Sequence, residues 1–509
     1  AASGAVCEGS DRAAGPFTEM LTEAGVNVSF DQSYGHLPES CDSVVFSAAI
    51  PPSHPQLLEA YQRGIPILSY AEALGRLMQT RTGVCIAGTH GKSTTTALLA
   101  HILISCGRDP SFIVGANCPQ VGGGSRTGAA SIHVPADAPA ALALQQRRQS
   151  RSGRPGGATG PSSGESGSVE VPGLLLAEAC EFNRSFHHHR PTVAAVMNLE
   201  EDHLDIYGSL DSIIEAFHEF ARLLPDGRRG GYLLIGHESA HRSRVAAGLA
   251  CEVETLGLST QADWRFVFEP QSQQVRLYHH RTRRDEPVTR WSTPMPGEHN
   301  AANSAFAAVL AHRYGCSWGD ISAAIECFQG IERRMQCLGE RAIPGGRVMV
   351  YDDYGHHPTE IDSTLRALRA HRRPDRLVCV FQPHQHSRTR FLLDQFATSF
   401  SSADVVIVPE IYFVRDSEAE KQRVSAADLV DRLRRRGKQA MHLYPFAAIV
   451  EQLEIICRPG DLVVVMGAGP VYQVAHEFLA NGDADESSSG AGGGFVGIDE
   501  HLDADGTGI

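Results

Sequence analysis

The chain of 509 residues lacks any apolar run of about 18 residues, the length a membrane-spanning helix requires. No charged-then-apolar leader of a secretory signal is visible. Its twelve cysteines are scattered and include no C-x-x-C pair. In a chain this long they read as reduced thiols, and a cytoplasmic location is expected. Positive charge is scarce: 45 Lys and Arg face 59 Asp and Glu, for a net charge of -14. With no basic stripe, neither nucleic acid nor membrane insertion is expected. The chain also lacks a starting Met; it opens Ala1-Ala2-Ser3 and soon reaches Gly9-Ser10-Asp11. What remains is 42% hydrophobic and 20% charged, the balance of a globular protein with more than one domain.

Against that background one stretch stands out. The apolar run Gly83-Val84-Cys85-Ile86-Ala87 leads into Gly88-Thr89-His90-Gly91-Lys92-Ser93-Thr94, and a helical pattern follows from Thr95 to Cys106, ending at Gly107. Strand, glycine turn, Lys-Ser and helix together make a phosphate cradle. The glycines let backbone N–H groups approach phosphate oxygens, Lys92 reaches the β/γ-phosphates, and the Ser93 hydroxyl suits Mg²⁺. The spacing G-x-x-G-K-S is shorter than the general P-loop pattern, so a plain strand-to-helix turn is the competing reading.

Short apolar runs alternate with helical patterns along most of the chain, as in Val193–Val196, Leu377–Val380 and Leu462–Met466. Near-continuous apolar strands separated by helices predict parallel sheets covered on both faces, an α/β chain with doubly wound domains. Residues 118–171 are rich in Gly, Ser, Ala and Pro, with interspersed arginines, and predict a disordered insertion. The glycine-rich, acidic tail at 481–509 predicts the same. In α/β sheets ligands sit beyond the carboxyl ends of strands. There the chain offers Glu178 and Glu181, then Asn198 with Glu200-Glu201-Asp202-His203, then Asp352-Asp353-Tyr354-Gly355-His356-His357. A strand-end acid near a phosphate loop suits Mg²⁺, although any one of them could simply cap a helix. The triplet His187-His188-His189 reads as a polar loop, because consecutive side chains diverge.

Taken in order, these motifs resemble the Mur ligase family. The resemblance rests on Ala87–Thr96, Ala177-Glu178-Ala179-Cys180-Glu181, Asn198–Asp205, Pro296–Asn303 and Arg333-Arg334-Met335. It continues with Asp352–Glu360, Gln382-Pro383-His384, Ser387–Arg390 and Met466–Gly469, and Asp352–Glu360 points to the first ligase of the pathway. The resemblance implies three doubly wound domains: a Rossmann-like N-terminal UDP-sugar domain at 1–79, a P-loop ATPase domain at 80–330, and a Rossmann-like ligase domain at 331–480. It implies ATP-dependent joining of L-alanine to the lactyl carboxylate of UDP-N-acetylmuramate through an acyl phosphate, in peptidoglycan synthesis. ATP and Mg²⁺ are the implied cofactors.

Carried over by position, Gly88, Thr89, His90, Gly91, Lys92, Ser93 and Thr94 surround the phosphates, with Ser93, Glu178 and His203 on Mg²⁺. His299 and Asn300 lie against the nucleotide and Asp353 on its ribose. Arg334 reaches the phosphates, while His356, His357 and Arg388 face the amino acid and the muramoyl carboxylate. Lys92, His203, Arg334, His356 and Arg388 form the implied catalytic set. The chain departs from the family in three places: the first strand and its glycine loop are expected but not seen, Cys180 replaces the usual acid, and Gln385 stands where arginine is common. Two other readings remain: a recycling ligase that attaches a tripeptide, and an inactive relative that only binds.

Overall fold

The computed structural model describes residues 4–152, 167–281, 286–414 and 416–487. Near the N-terminus, β1 (Glu8–Ser10) pairs in parallel with β2 (Asn27–Ser29), and β3 (Val44–Phe46) with β4 (Ile67–Ser69). These are two separate strand pairs rather than the single sheet expected for this region. Each strand is three residues long, so each pair carries a short ladder.

The second unit is a sheet of ten strands. Its middle is β5 (Thr82–Ala87), flanked by β10 (Leu174–Glu178) and β11 (Val193–Val196), all parallel. Outside β10 lie β6 (Ser111–Ile113) and β7 (Ser125–Arg126). Outside β11 come β12 (Tyr232–Gly236) and β13 (Glu252–Gly257), then β14 (Trp264–Glu269), β15 (Gln274–His279) and β16 (Thr289–Ser292) as an antiparallel meander. Strands β5, β10 and β11 are apolar along both faces because helices cover both. The helix Lys92–Ser105 is buried nearly all round, between the sheet and the helix Glu298–Arg313. Its end is set by local chemistry. Gly107, at φ +69°, lets its own N–H reach the Ile104 carbonyl and the Arg108 N–H reach that of Leu103. This double closure satisfies carbonyls the helix leaves open.

The expectation that 118–171 is disordered fails at both ends of the segment. β8 (Ser131–Pro135) and β9 (Ser168–Pro172) form an antiparallel pair, and a helix spans Pro139–Ser152. Cys118, Ile132, Val134, Ala138 and Val171 are buried in the same core as Val84 and Leu98. Alternating apolar residues in Ile132-His133-Val134 supply an inward face, which a reading of bulk composition overlooks. Residues 153–166 lie outside the described residues. The tail reading is also corrected: the helix Tyr472–Ser487 runs through its first residues. Residues 488–509 lie outside the described residues.

The third unit has six strands in the order β17 (Gln336–Ile343), β18 (Gly346–Asp353), β22 (Leu462–Met466), β19 (Leu377–Phe381), β20 (Val405–Val408), β21 (Gln439–His442). Only β17 runs antiparallel to its neighbour. Its carboxyl ends carry Asp353, Gln382 and Gly467, and face the carboxyl ends of the ten-stranded sheet. Together the sheets make the α/β architecture the sequence predicts.

Candidate active site

The loop after β5 is held by the next strand. Asn198, just past β11, accepts from the His90 N–H at 2.8 Å and donates its own amide to the His90 carbonyl at 3.1 Å. Its backbone carbonyl takes the Thr89 N–H, and the Thr89 hydroxyl accepts from the Glu200 N–H at 2.9 Å. Glycine is required at 91 for two reasons. Its φ is +83°, and a Cβ there would stand 2.4 Å from Asn303 Oδ1 and 2.8 Å from Met197 Cε. Lys92 begins the helix and folds back over the loop. Its ammonium donates to the Gly88 carbonyl at 2.7 Å and to both oxygens of Glu181, at 3.1 and 3.0 Å. Burial opposes this charge, but Glu181 outweighs burial and holds Lys92 protonated well above the usual lysine range. Ser93 and Thr94 occupy the first helical turn, Thr94 buried.

Of the expected metal set of Ser93, Glu178 and His203, the structure brings His203 together with two other acids. Among the described residues, Glu181, Asp202 and His203 form one of two groups of acid and imidazole atoms within ligand range of a single ion. Glu178 is turned to the end of β6, where it accepts from the Gly115 N–H at 3.0 Å. Glu181 and Asp202 are among the strand-end acids that the sequence offers for Mg²⁺, outside the set implied by the family resemblance. A turn after β10 and another after β11 bring them opposite each other. Two carboxylates and one imidazole are an oxygen-rich set that fits Mg²⁺.

The third unit closes on this surface. Arg388 reaches Asp202 Oδ1 from Nη2 at 2.9 Å and from Nε at 3.2 Å, and its Nη1 lies 3.2 Å from His384 Nδ1. Burial would raise the Asp202 carboxyl, but Arg388 leads a set of surrounding positive groups that together outweigh it, and the acid stays ionised far below the usual range. The Thr359 hydroxyl donates to Glu200, and the His357 ring faces the Glu201 carbonyl at 3.2 Å. Glu360 is the hub. It faces Arg334 at 3.2 Å and His90 at 3.3 Å, and it accepts from the His356 N–H at 3.0 Å. Burial alone would depress the pKa of His90, but Glu200 and Glu360 raise it to about 9. Burial and Arg388 push His356 down to about 3, and burial with Arg366 pushes His299 down to about 4, so both rings are neutral at pH 7.

Asn300 is inward, donating to the Pro296 carbonyl at 3.0 Å. Asp353, expected on a ribose, has its oxygens engaged by the Met335 N–H at 2.8 Å and the Gly355 N–H at 2.6 Å. Burial raises its pKa to about 6 despite Arg334. In this structure it fixes the turns flanking β18. Cys180 is mostly buried beside Glu181, and its thiol is pushed up to about 11. Gln385 sits at φ +66° ahead of the helix His386–Phe391, with its N–H on the Tyr412 carbonyl. The histidine triplet diverges as expected: His187 reaches the Ala216 carbonyl, while His189 is buried beside Cys85.

Three family descriptions match in order along the chain. Residues 1–82 match "Mur ligase family, catalytic domain", 177–311 "Mur ligase middle domain", and 333–469 "Mur ligase, glutamate ligase domain". A UDP-N-acetylmuramate–L-alanine ligase of Acetivibrio thermocellus is 31% identical over 478 residues, covering 94% of this chain and 91% of that protein. The chain belongs to the Mur ligase family. Solved Mur ligase structures share its fold. The UDP-N-acetylmuramate-alanine ligase of Thermotoga maritima superimposes with a TM-score of 0.68 at 20% identity, covering 94% of this chain and 93% of that one. The murein peptide ligase of Psychrobacter arcticus gives 0.61 at 23% identity, covering 94% of each. Among the described residues of this Mur ligase, no helix is long and apolar enough to cross a membrane.

Proposed function

We propose that this Mur ligase joins L-alanine to the lactyl carboxylate of UDP-N-acetylmuramate at the expense of ATP, releasing ADP and phosphate. The observation that carries this reading is the cleft in which the Lys92 loop and the Asp352–Glu360 turn meet, joined by the His90–Glu360 and Arg388–Asp202 pairs. The three expected units, 1–79, 80–330 and 331–480, are assigned to UDP sugar, ATP and closure of the site respectively.

A carboxylate is a poor acyl donor to an amine. ATP supplies the activation, converting it to an acyl phosphate that the alanine amine can attack. The protein's part is alignment and charge neutralisation. Lys92 is placed to exchange Glu181 for phosphate oxygens, and the helix that starts at Lys92 leaves the N–H groups of its first turn without intrahelical partners, as a phosphate site needs. Mg²⁺ at Glu181, Asp202 and His203, with Ser93 and Glu178 nearby in the chain's fold, would neutralise the transferred group. Arg334 adds positive charge from the opposite side. His356 is neutral, so it serves as a hydrogen-bonding group toward the amino acid rather than as a cation. Arg388 faces the substrate carboxylate with Asp202 as its resting partner. His299 and Asn300 remain the candidates for the nucleotide base.

The test is phosphate release by the purified chain with ATP, Mg²⁺ and UDP-N-acetylmuramate, comparing L-alanine with a tripeptide as acceptor. Release that requires L-alanine supports the reading. Release that requires the tripeptide assigns the chain to recycling, and no substrate-dependent release assigns it to binding alone.

A further inference from the structure

Outside the Glu181–Asp202–His203 group, a second set of ligand-type atoms converges where the Lys92 loop meets the third unit. One atom each from His90, Glu200 and His357 lies within 4.8 Å of the others. His90 Nε2 is 3.4 Å from Glu200 Oε2, and His357 Nδ1 is 3.9 Å from the same oxygen. A tetrahedral ion with bonds of about 2.0–2.2 Å sets its ligands roughly 3.3–3.6 Å apart. The set needs little closing to fit one.

Both imidazoles have the other ring nitrogen placed against an oxygen. His90 Nδ1 faces Glu360 Oε1 at 3.3 Å, and His357 Nε2 faces the Glu201 carbonyl at 3.2 Å. This is how metal-binding histidines are usually fixed, with the remote N–H held so that the near nitrogen offers its lone pair. Two further details agree. His90 Nε2 is buried without a well-formed hydrogen bond. His357 Nδ1 is unprotonated, since it accepts a long 3.3 Å hydrogen bond from the Thr359 N–H, and an ion there takes that lone pair from the Thr359 N–H.

We propose that His90, Glu200 and His357 form a site for a divalent transition ion of the zinc class, distinct from the Mg²⁺ group, which fastens the phosphate loop to the third unit. Two imidazoles and one carboxylate suit zinc, cobalt or nickel, whereas Mg²⁺ prefers oxygen. Three protein ligands leave a fourth position for water. The ion takes the place of the proton that Glu200 and Glu360 otherwise keep on His90, so each ion bound releases one proton. His90 belongs to the loop after β5, and His357 caps the helix Pro358–Arg372. A single ion therefore joins two units that otherwise meet through hydrogen bonds and ion pairs.

The experiment titrates the chelator-stripped full chain with Co²⁺ alone, reading the visible absorption of tetrahedral cobalt and the protons released. One such site per chain is expected. It should persist in His203→Ala and weaken at least about 100-fold in Glu200→Gln and in His357→Asn, where asparagine keeps an acceptor for the helix start. Glu360→Gln should weaken it about 10- to 100-fold through His90. Circular dichroism establishes that each variant is folded, and the unsubstituted chain is decisive by itself. Absence of a tetrahedral cobalt spectrum there overturns the proposal. So does a spectrum lost in His203→Ala and kept in His357→Asn.

Discussion

The two walls of the cleft differ in their charged groups, acids predominating on one and arginines on the other, with His90 and Glu360 as the exceptions that pair across it. The wall from the ten-stranded sheet presents Glu181, Glu200 and Asp202, with Lys92 bound among them. The wall from the six-stranded sheet presents Arg334 and Arg388, with His356 held neutral. Two buried acids show what this division does. Asp202 stays ionised far below the usual range, because Arg388 reaches it from the opposite wall. Asp353, just as enclosed, has its pKa raised to about 6 although Arg334 acts against burial, with backbone N–H groups and Thr364 in contact. Burial pushes both upward; the positive groups around Asp202, led by Arg388 in direct contact across the cleft, reverse the direction for that one. Some charged groups are paired within their own wall, as Lys92 is with Glu181, and others across it, as Arg388 is with Asp202.

The largest expected effect concerns what the anionic wall stands on. Replacing residues 118–171 by a short Gly/Ser linker removes β7, β8, β9 and buried Cys118, Ile132, Val134 and Val171. Each fully buried aliphatic contributes about 1.5–3 kcal/mol, so the product should not fold, as a missing thermal transition would record. Replacing 153–166 alone keeps that set, and kcat should stay close to wild type. A folded protein after the longer replacement would separate the wall from its sheet.

Lys92→Ala removes the cation that Glu181 holds on the anionic wall. ATP turnover should fall at least ~10²-fold, as when other preorganised electrostatic groups are lost. Near-normal phosphate release would mean that the opposite wall alone neutralises the phosphates.

Arg388→Met keeps length and deletes charge, leaving Asp202 buried and unpaired. Loss of one partner from such a pair costs about 3–5 kcal/mol. Urea unfolding should show that cost, and adding Asp202→Asn should recover part of it. Full additivity of the two substitutions would show that the walls are not coupled there.

The smallest effect is a slope. The pKa of His356 falls to about 3 on folding, so below pH 6.5 the unfolded chain binds a proton that the folded chain does not. Its contribution is fully present above the unfolded pKa and is lost as pH falls toward 3. The slope it adds is about 1.4 kcal/mol per pH unit. His356→Asn should flatten stability against pH between 6 and 4 by that amount. An unchanged slope would place His356 in solvent contact and remove the neutral ring from the second wall.

Much of this was legible along the chain. Apolar runs such as Val193–Val196 cannot sit on a wet face, so buried parallel strands followed from them. Glycine, lysine and serine between a strand and a helix marked the phosphate loop, because that chemistry is local. One reading failed. The segment 118–171 looked disordered because composition averages away the short alternation at Ile132-His133-Val134. The contact of Glu178 with the Gly115 N–H was not legible either, because that partner comes from another strand end.

Most element types, the order of the units and the residues able to carry phosphate and acyl chemistry are readable from the chain alone. These follow from side-chain period, turn residues and donor types within a few positions of one another. The pairings arise from folding: Lys92 with Glu181, Arg388 with Asp202, and Glu360 with His90 and Arg334. Folding also decided which acids stay charged and which imidazoles stay neutral. Those outcomes depend on groups as far apart in the chain as His90 and Glu360, brought within hydrogen-bond range by two sheets that face each other. Proton affinity responds to that proximity and to burial, and neither is written in the order of residues.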